Sequence, residues 1–148
     1  MTTDPNRRDI LQGRSICPGI AEGEALVSAM GISFFGGVDP ESGIVVEKGH
    51  DLEGRSVAGK ILVFPTGKGS TVGSYTLYRL GKAGKAPRAI VNAECEPITV
   101  VGCILAGIPC VDQVPLDRFA NGERVRVNGG SGLVEFHQAI AGLFQSFL

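Results

Sequence analysis

The chain has 148 residues, 43% hydrophobic and 20% charged, with 14 Lys and Arg against 15 Asp and Glu and a formal net charge of -1. That composition fits one soluble globular domain burying about 68–70% of its unfolded surface, enough for a core without a disulfide or metal staple. A near-neutral chain without runs of like charge has no field to gather nucleic acid or anionic lipid. Nowhere do about 18 apolar residues run together, and the polar start, Met1 to Ile10, is no secretory signal, so a cytoplasmic protein is expected.

Glycine is abundant, 22 residues, without a collagen or linker period, which implies many tight turns. Imidazole is scarce: His50 and His137 alone could titrate near neutrality, so chemistry must lean on other groups.

The first half reads as short strands bounded by turn residues: Gly23 to Ser28, Ile32 to Phe35 and Ile44 to Glu47. Gly36 to Gly43 is a long irregular turn with paired glycines and Pro40. Lys60 to Phe64 is an apolar run of buried-strand type that stops at Pro65. From Ser70 the period becomes helical, with Val72, Tyr75, Leu77, Tyr78 and Leu80, and closes at Gly81. A strand over Arg88 to Asn92 follows, then a mostly apolar helix from Glu96 to Ala106 ended by Gly107, then a short strand over Ile108 to Val111. This β-α-β-α-β order predicts a parallel sheet with right-handed crossovers. Arg124 to Asn128 and Leu133 to Phe136 flank Gly129-Gly130-Ser131-Gly132, a hairpin by its glycines. Phe136, Ile140, Leu143, Phe144 and Phe147 form a helical stripe that must pack on this domain or a partner.

The segment from Phe64 to Tyr75, with Gly67-Lys68-Gly69-Ser70-Thr71 at its centre, lies between a buried strand and a helix. A glycine-rich turn there lets backbone N–H groups converge, and the helix N-terminus adds partial positive charge, so an anion or developing oxyanion is stabilised. Ser70 is the expected N-cap and Lys68 the counter-charge. Nucleotide signatures fail, because Gly69 rather than Ser or Thr follows Lys68, and Val72 stands where a dinucleotide pattern needs glycine. The loop is thus either an anion or substrate cradle or a structural turn.

Cys17, Cys95, Cys103 and Cys110 contain no Cys-x-x-Cys pair and read as buried structural thiols. Glu22 with Glu24, and Glu94 with Glu96, read as solvated strand faces or a helix start, and His50 as a loop residue. No nucleophile elbow surrounds Ser70, which argues against a hydrolase.

Five phrases taken together resemble a known family. They are Ala21 to Val27, Ser33 to Pro40, Gly67 to Tyr75, Ala86 to Val91 and Ala106 to Pro109. In that order they are similar to the small subunit of aconitase X, across about residues 13 to 136. The resemblance implies a swivelling β/β/α domain over 13–148 that includes a C-terminal helix, after a flexible stretch over 1–12. It implies a large partner subunit carrying iron or an iron–sulfur cluster and dehydration of a small hydroxy acid; with four cysteines that lack ligand spacing, no cofactor is expected in this chain. Family activities are 5-phosphomevalonate and cis-3-hydroxy-L-proline dehydration, and the Gly67 to Tyr75 phrase looks more like the archaeal, phosphomevalonate members. The family's loop serine falls on Ser70, whose alkoxide would be the base, with Gly67, Lys68, Gly69, Thr71 and Ser74 expected to bind substrate. A reading of another class is a stand-alone anion-binding or assembly module that uses the same loop without chemistry.

Overall fold

The structure, a computed structural model, describes residues 10–136; the stripe from Ile140 to Phe147 lies outside the described residues. Eight strands form one sheet in the order β1-β8-β7-β3-β4-β5-β6-β2. Its centre is parallel: β3 (Ile20–Val27), β4 (Ile61–Phe64), β5 (Ala89–Asn92) and β6 (Cys110–Asp112). Helix α2 (Gly73–Lys82) joins β4 to β5, and α3 (Pro97–Ala106) joins β5 to β6, giving the β-α-β-α-β core expected from the periodicity. Antiparallel strands complete the sheet, β2 (Arg14–Cys17) on β6, β7 (Arg124–Asn128) on β3, β8 (Leu133–Phe136) on β7 and β1 (Ile10–Gln12) on β8.

The two sides of each central strand serve two cores. Leu62, Phe64 and Ile90 face the helices and pack with Leu77, Leu80 and Cys103. Ile61, Val63, Ala89 and Val91 face away and pack with Val125, Val127, Val134 and Phe136. For β7 and β8 to reach that second side the sheet must fold beneath its own centre, which produces helix, sheet and sheet layers. This is the β/β/α arrangement implied by the resemblance. No helix among the described residues is long and apolar enough to cross a membrane.

Several local expectations are corrected. Ile10–Gln12 is not a loose stretch but strand β1 on β8, and β2 was not foreseen. Ile32 to Phe35 is not a strand: Ile32 makes a single bridge to Gly67, and a distorted turn, α1 (Phe34–Gly37), follows because Gly36 takes φ 83°. Ile44 to Glu47 contributes only isolated bridges, Val38 to Val45 and Ile44 to Ser56. The segment Val38 to Val57 is therefore an irregular excursion, held by buried Val45, Leu52 and Val57 rather than by a ladder. Helix α2 begins at Gly73 rather than Ser70, since Gly69 has φ 94° and keeps the preceding loop out of the helix. Helix α3 starts and stops as read, with the Glu96 side chain capping it and Gly107 left-handed at its end. Asn128 Oδ1 accepts from Gly130 and Ser131 N–H and so fixes the hairpin turn between β7 and β8.

Edge strand β2 is fastened by a bidentate pair from Arg14 to the fully buried Asp112 carboxylate, 2.9 and 2.8 Å, which also accepts from Cys95 N–H. Burial alone would raise the Asp112 pKa, but Arg14 and the Cys95 N–H outweigh it and hold the carboxyl below its usual range. Its stabilisation is therefore complete above the unfolded-state pKa of about 3.9 and is lost as pH falls through the folded-state value. Asp112→Asn should lower Tm clearly at pH 7, and the gap to the unaltered chain should shrink as pH drops below about 4. Circular dichroism melts at several pH values check this; a gap independent of pH would contradict the charged role.

Candidate functional site

The loop from Pro65 to Val72 leaves the C-terminal end of β4, where parallel α/β sheets generally place ligand sites. Three neighbours fix its path. Pro65 carbonyl accepts from Ala93 and Glu94 N–H, at 3.0 and 3.1 Å. Ile32 N–H donates to Thr66 carbonyl at 3.2 Å, and Lys68 N–H to Ile32 carbonyl at 2.9 Å. Gly67 is buried against the first turn of α3, where a Cβ would overlap Glu96 Oε1 and come within 2.5 Å of Thr99 Oγ1. Only glycine permits that approach.

Glu96 is itself fully engaged. Its carboxylate accepts from Ile98 N–H at 2.8 Å, Thr99 N–H at 2.9 Å and Thr99 hydroxyl. The negative charge sits at the positive end of α3. Ser74 ties the second helix to the same place, its hydroxyl donating to Ile98 carbonyl at 2.6 Å. The first turns of α2 and α3 and the loop thus form one braced unit.

Ser70 stands exposed at the top of this unit. It is not the N-cap of α2; Val72 occupies that position, and no side chain caps it. Instead Ser70 Oγ accepts from Val72 N–H at 3.2 Å, and Ser70 carbonyl accepts from Gly73 N–H at 2.9 Å. Ser74 N–H goes to Thr71 carbonyl at 3.3 Å. The N–H groups of Val72, Gly73 and Ser74 are therefore used within the loop and do not converge on an external anion. The beneficiary of the helix terminus is the Ser70 oxygen.

Gly69 lies beside Ser33, where a Cβ would sit 2.5 Å from Ser33 Oγ, and its positive φ adds a second reason for glycine. Thr71 is exposed next to Ser70. Lys68 is also exposed, but its ammonium lies 3.3 Å from Glu47 Oε2 rather than standing free. The structure thus gathers Gly67, Lys68, Gly69, Ser70 and Thr71 on one loop, and turns the Ser74 hydroxyl toward α3. Sequence reasoning missed Glu47 and Ser33 as neighbours, and nothing in their spacing marked them.

His50 is buried, with ring nitrogens 3.0 Å from Gly31 carbonyl and 3.0 Å from Leu52 N–H and Asp51 Oδ1 3.1 Å from Nδ1. It props up the segment that pairs with the loop instead of facing a ligand. Glu22 pairs with Arg124 at 3.2 Å and Glu24 with Lys60 at 3.5 Å, as solvated faces do. All four cysteines are free and buried, and Cys95 Sγ is 3.7 Å from Cys110 Sγ. The hydrogen bond with Cys110 and burial push the Cys95 thiol far up; the contact with Cys103 and burial push Cys110 up against the opposing contact with Cys95, and burial raises Cys17. All four thiols are taken up in the hydrophobic core beneath the helices. Among the described residues no group of three or more His, Cys, Asp or Glu side chains is placed to hold a metal.

Comparison with known proteins agrees with this geometry. Residues 10–136 match the aconitase X swivel domain. A phosphomevalonate dehydratase small subunit of Thermococcus onnurineus is 53% identical over 128 residues, covering 86% of this chain and 98% of that one. The corresponding protein of Methanosarcina acetivorans is 55% identical over 128 residues, 84% of this chain and 89% of that one. The crystal structure of Thermococcus kodakaraensis aconitase X in its holo-form superposes with a TM-score of 0.85 at 53% identity, covering 86% of this chain and 98% of that chain. From its motifs, its β/β/α layering and these matches, the chain belongs to the aconitase X swivel-domain family.

Proposed function

We propose that this chain is the cytoplasmic small subunit of an aconitase X-type hydro-lyase that removes water from (R)-5-phosphomevalonate to give trans-anhydromevalonate 5-phosphate, with Ser70 as base. The observation that carries the assignment is the Val72 N–H bond to Ser70 Oγ at the N-terminus of α2. An alcohol is a poor base near neutrality, so its anion must be held. A fixed N–H donor and the positive helix end stabilise the alkoxide over the hydroxyl. The dehydratase small subunits of Thermococcus and Methanosarcina, similar over nearly their whole lengths, favour a phosphorylated hydroxy acid over a cyclic amino acid.

In this reading Ser70 Oγ takes the proton from the carbon beside the substrate carboxylate and ends as a neutral hydroxyl. The electron pair left on carbon forms the double bond as the β-hydroxyl departs with its own pair. That departure belongs to the large subunit, where the iron site implied by the family is expected. Ser70, Thr71 and Val72 are exposed in the isolated chain. Water there would quench the alkoxide, so the partner must cover the loop before chemistry is possible. The isolated chain is expected to be inactive.

In the assembled enzyme Ser70→Ala should lower kcat by about 10²–10⁴-fold with little change in KM, the mark of a group used in the transition state. Ser74→Ala removes only the tie to Ile98 and should cost about 1 kcal/mol of stability with a modest loss of turnover. Steady-state kinetics with assembly checked by gel filtration measures both; near-normal turnover in assembled Ser70→Ala rejects the base assignment. Gly67→Ala should displace the loop from Glu96 and reduce kcat by at least about tenfold while the subunit remains folded. Unchanged kinetics in that variant would mean that the contact with Glu96 does not position Ser70.

A further inference from the structure

The charge beside the loop is not left bare. Lys68 Nζ is 3.3 Å from Glu47 Oε2, across a sequence separation of 21. The lysine stem runs along Gly31, where a Cβ would sit 3.5 and 3.7 Å from Lys68 Cδ and Cγ, and its N–H is fixed on Ile32 carbonyl. On the other side, Val46 and Glu47 N–H both donate to Gly37 carbonyl, at 2.8 and 3.3 Å. A Cβ on Gly37 would come within 3.3 Å of Glu47 Oε1, so the carboxylate lies close on that turn. The whole excursion Val38 to Val57, with its own buried anchors, thus delivers one carboxylate to the loop that carries Ser70.

The pair contributes little to the fold. The Lys68 and Glu47 side chains are 48% and 30% exposed, and ion pairs so solvated are weak. Their effect on an entering anion is larger, because a single charge a few ångströms away shifts an anion's binding directly. We infer that Glu47 is a positioning and selectivity residue: it holds the Lys68 ammonium at the rim of the Ser70 loop and balances its charge. A small inorganic anion then gains little from Lys68. An anion anchored elsewhere in the site, as a substrate with a carboxylate and a phosphate would be, can compete with Glu47 for the ammonium. The inference rests on the reading that this loop faces an anionic substrate, and it is independent of whether Ser70 is the base.

The test uses the assembled two-subunit enzyme and inorganic phosphate as probe, with binding measured by calorimetry and inhibition by kinetics. Glu47→Gln should bind phosphate about three- to tenfold more tightly, and Lys68→Met less tightly than the unaltered enzyme. In the Lys68→Met background, Glu47→Gln should bring phosphate binding back to near that of the unaltered enzyme, because the two charges cancel as a pair. In Glu47→Gln, KM for (R)-5-phosphomevalonate should fall with the gain in phosphate affinity while kcat stays within about twofold, a split that loss of structure would not produce. Unchanged phosphate binding in Glu47→Gln, or no recovery of binding in the Lys68→Met, Glu47→Gln double variant, overturns the inference. Phosphate binding needs no turnover, so the same titrations on Ser70→Ala keep the two readings apart. An active Ser70→Ala enzyme with the Glu47 dependence intact would reject the base and support the rim.

Discussion

The carboxylate of Glu96 at the N-terminus of α3 is the contact on which the site depends. It satisfies the Ile98 and Thr99 N–H groups that a helix start leaves open, and in doing so it offers a flat surface on which Gly67 can rest. From that contact the rest follows in order. The chain leaving β4 is pressed toward α3, the Ser74 hydroxyl closes on Ile98, and α2 starts late enough to leave Ser70 outside the helix with Val72 N–H on its oxygen. A side chain at Gly67 or a missing cap at Glu96 would disturb all of these together, because they share atoms.

In the proposed reading, this arrangement lets one small domain contribute to a difficult proton transfer through a hydroxyl held at a helix N-terminus. The domain supplies a rigid, partly positive platform for one oxygen and leaves it open to solvent. Rigidity comes from the two cores on either side of the central strands, which fix β4 and β5 as the supports of the loop. In that reading, the water-free environment and the partner group come from a second chain closing on the exposed loop. Such a division of work would make assembly itself a requirement for reactivity, since an alkoxide is quenched in open water.

Much of the architecture was legible because it rests on local signals. The apolar run Lys60 to Phe64, the Glu96-Pro97 start and Gly107 stop of α3, and the glycines between β7 and β8 each carry their own punctuation. Strands β1 and β2 carried none. They are three and four residues long and exist through their partners β8 and β6. The excursion from Val38 to Val57 misled in the opposite direction: Ile44 to Glu47 has strand composition, but it forms isolated bridges to Val38 and Ser56 rather than a ladder. In the site, the Gly-Lys-Gly-Ser phrase marked the loop and the family resemblance marked Ser70. What bends the loop lies far away in sequence, Glu96 beneath Gly67 and Glu47 beside Lys68. No spacing rule reaches across such separations, and Ser70 is not the N-cap because the positive φ of Gly69 keeps the loop out of the helix until Gly73.

The central claim is spatial: Ser70 Oγ must meet the carbon beside the substrate carboxylate when the two subunits are together. A crystal structure of the assembled enzyme with an unreactive 5-phosphomevalonate analogue lacking the β-hydroxyl tests this directly. The account predicts Ser70 Oγ about 3–3.5 Å from that carbon, still receiving Val72 N–H, with Gly67 on Glu96 and no water between. An analogue bound with that carbon out of reach of Ser70, or a loop turned away from the large subunit, would contradict it.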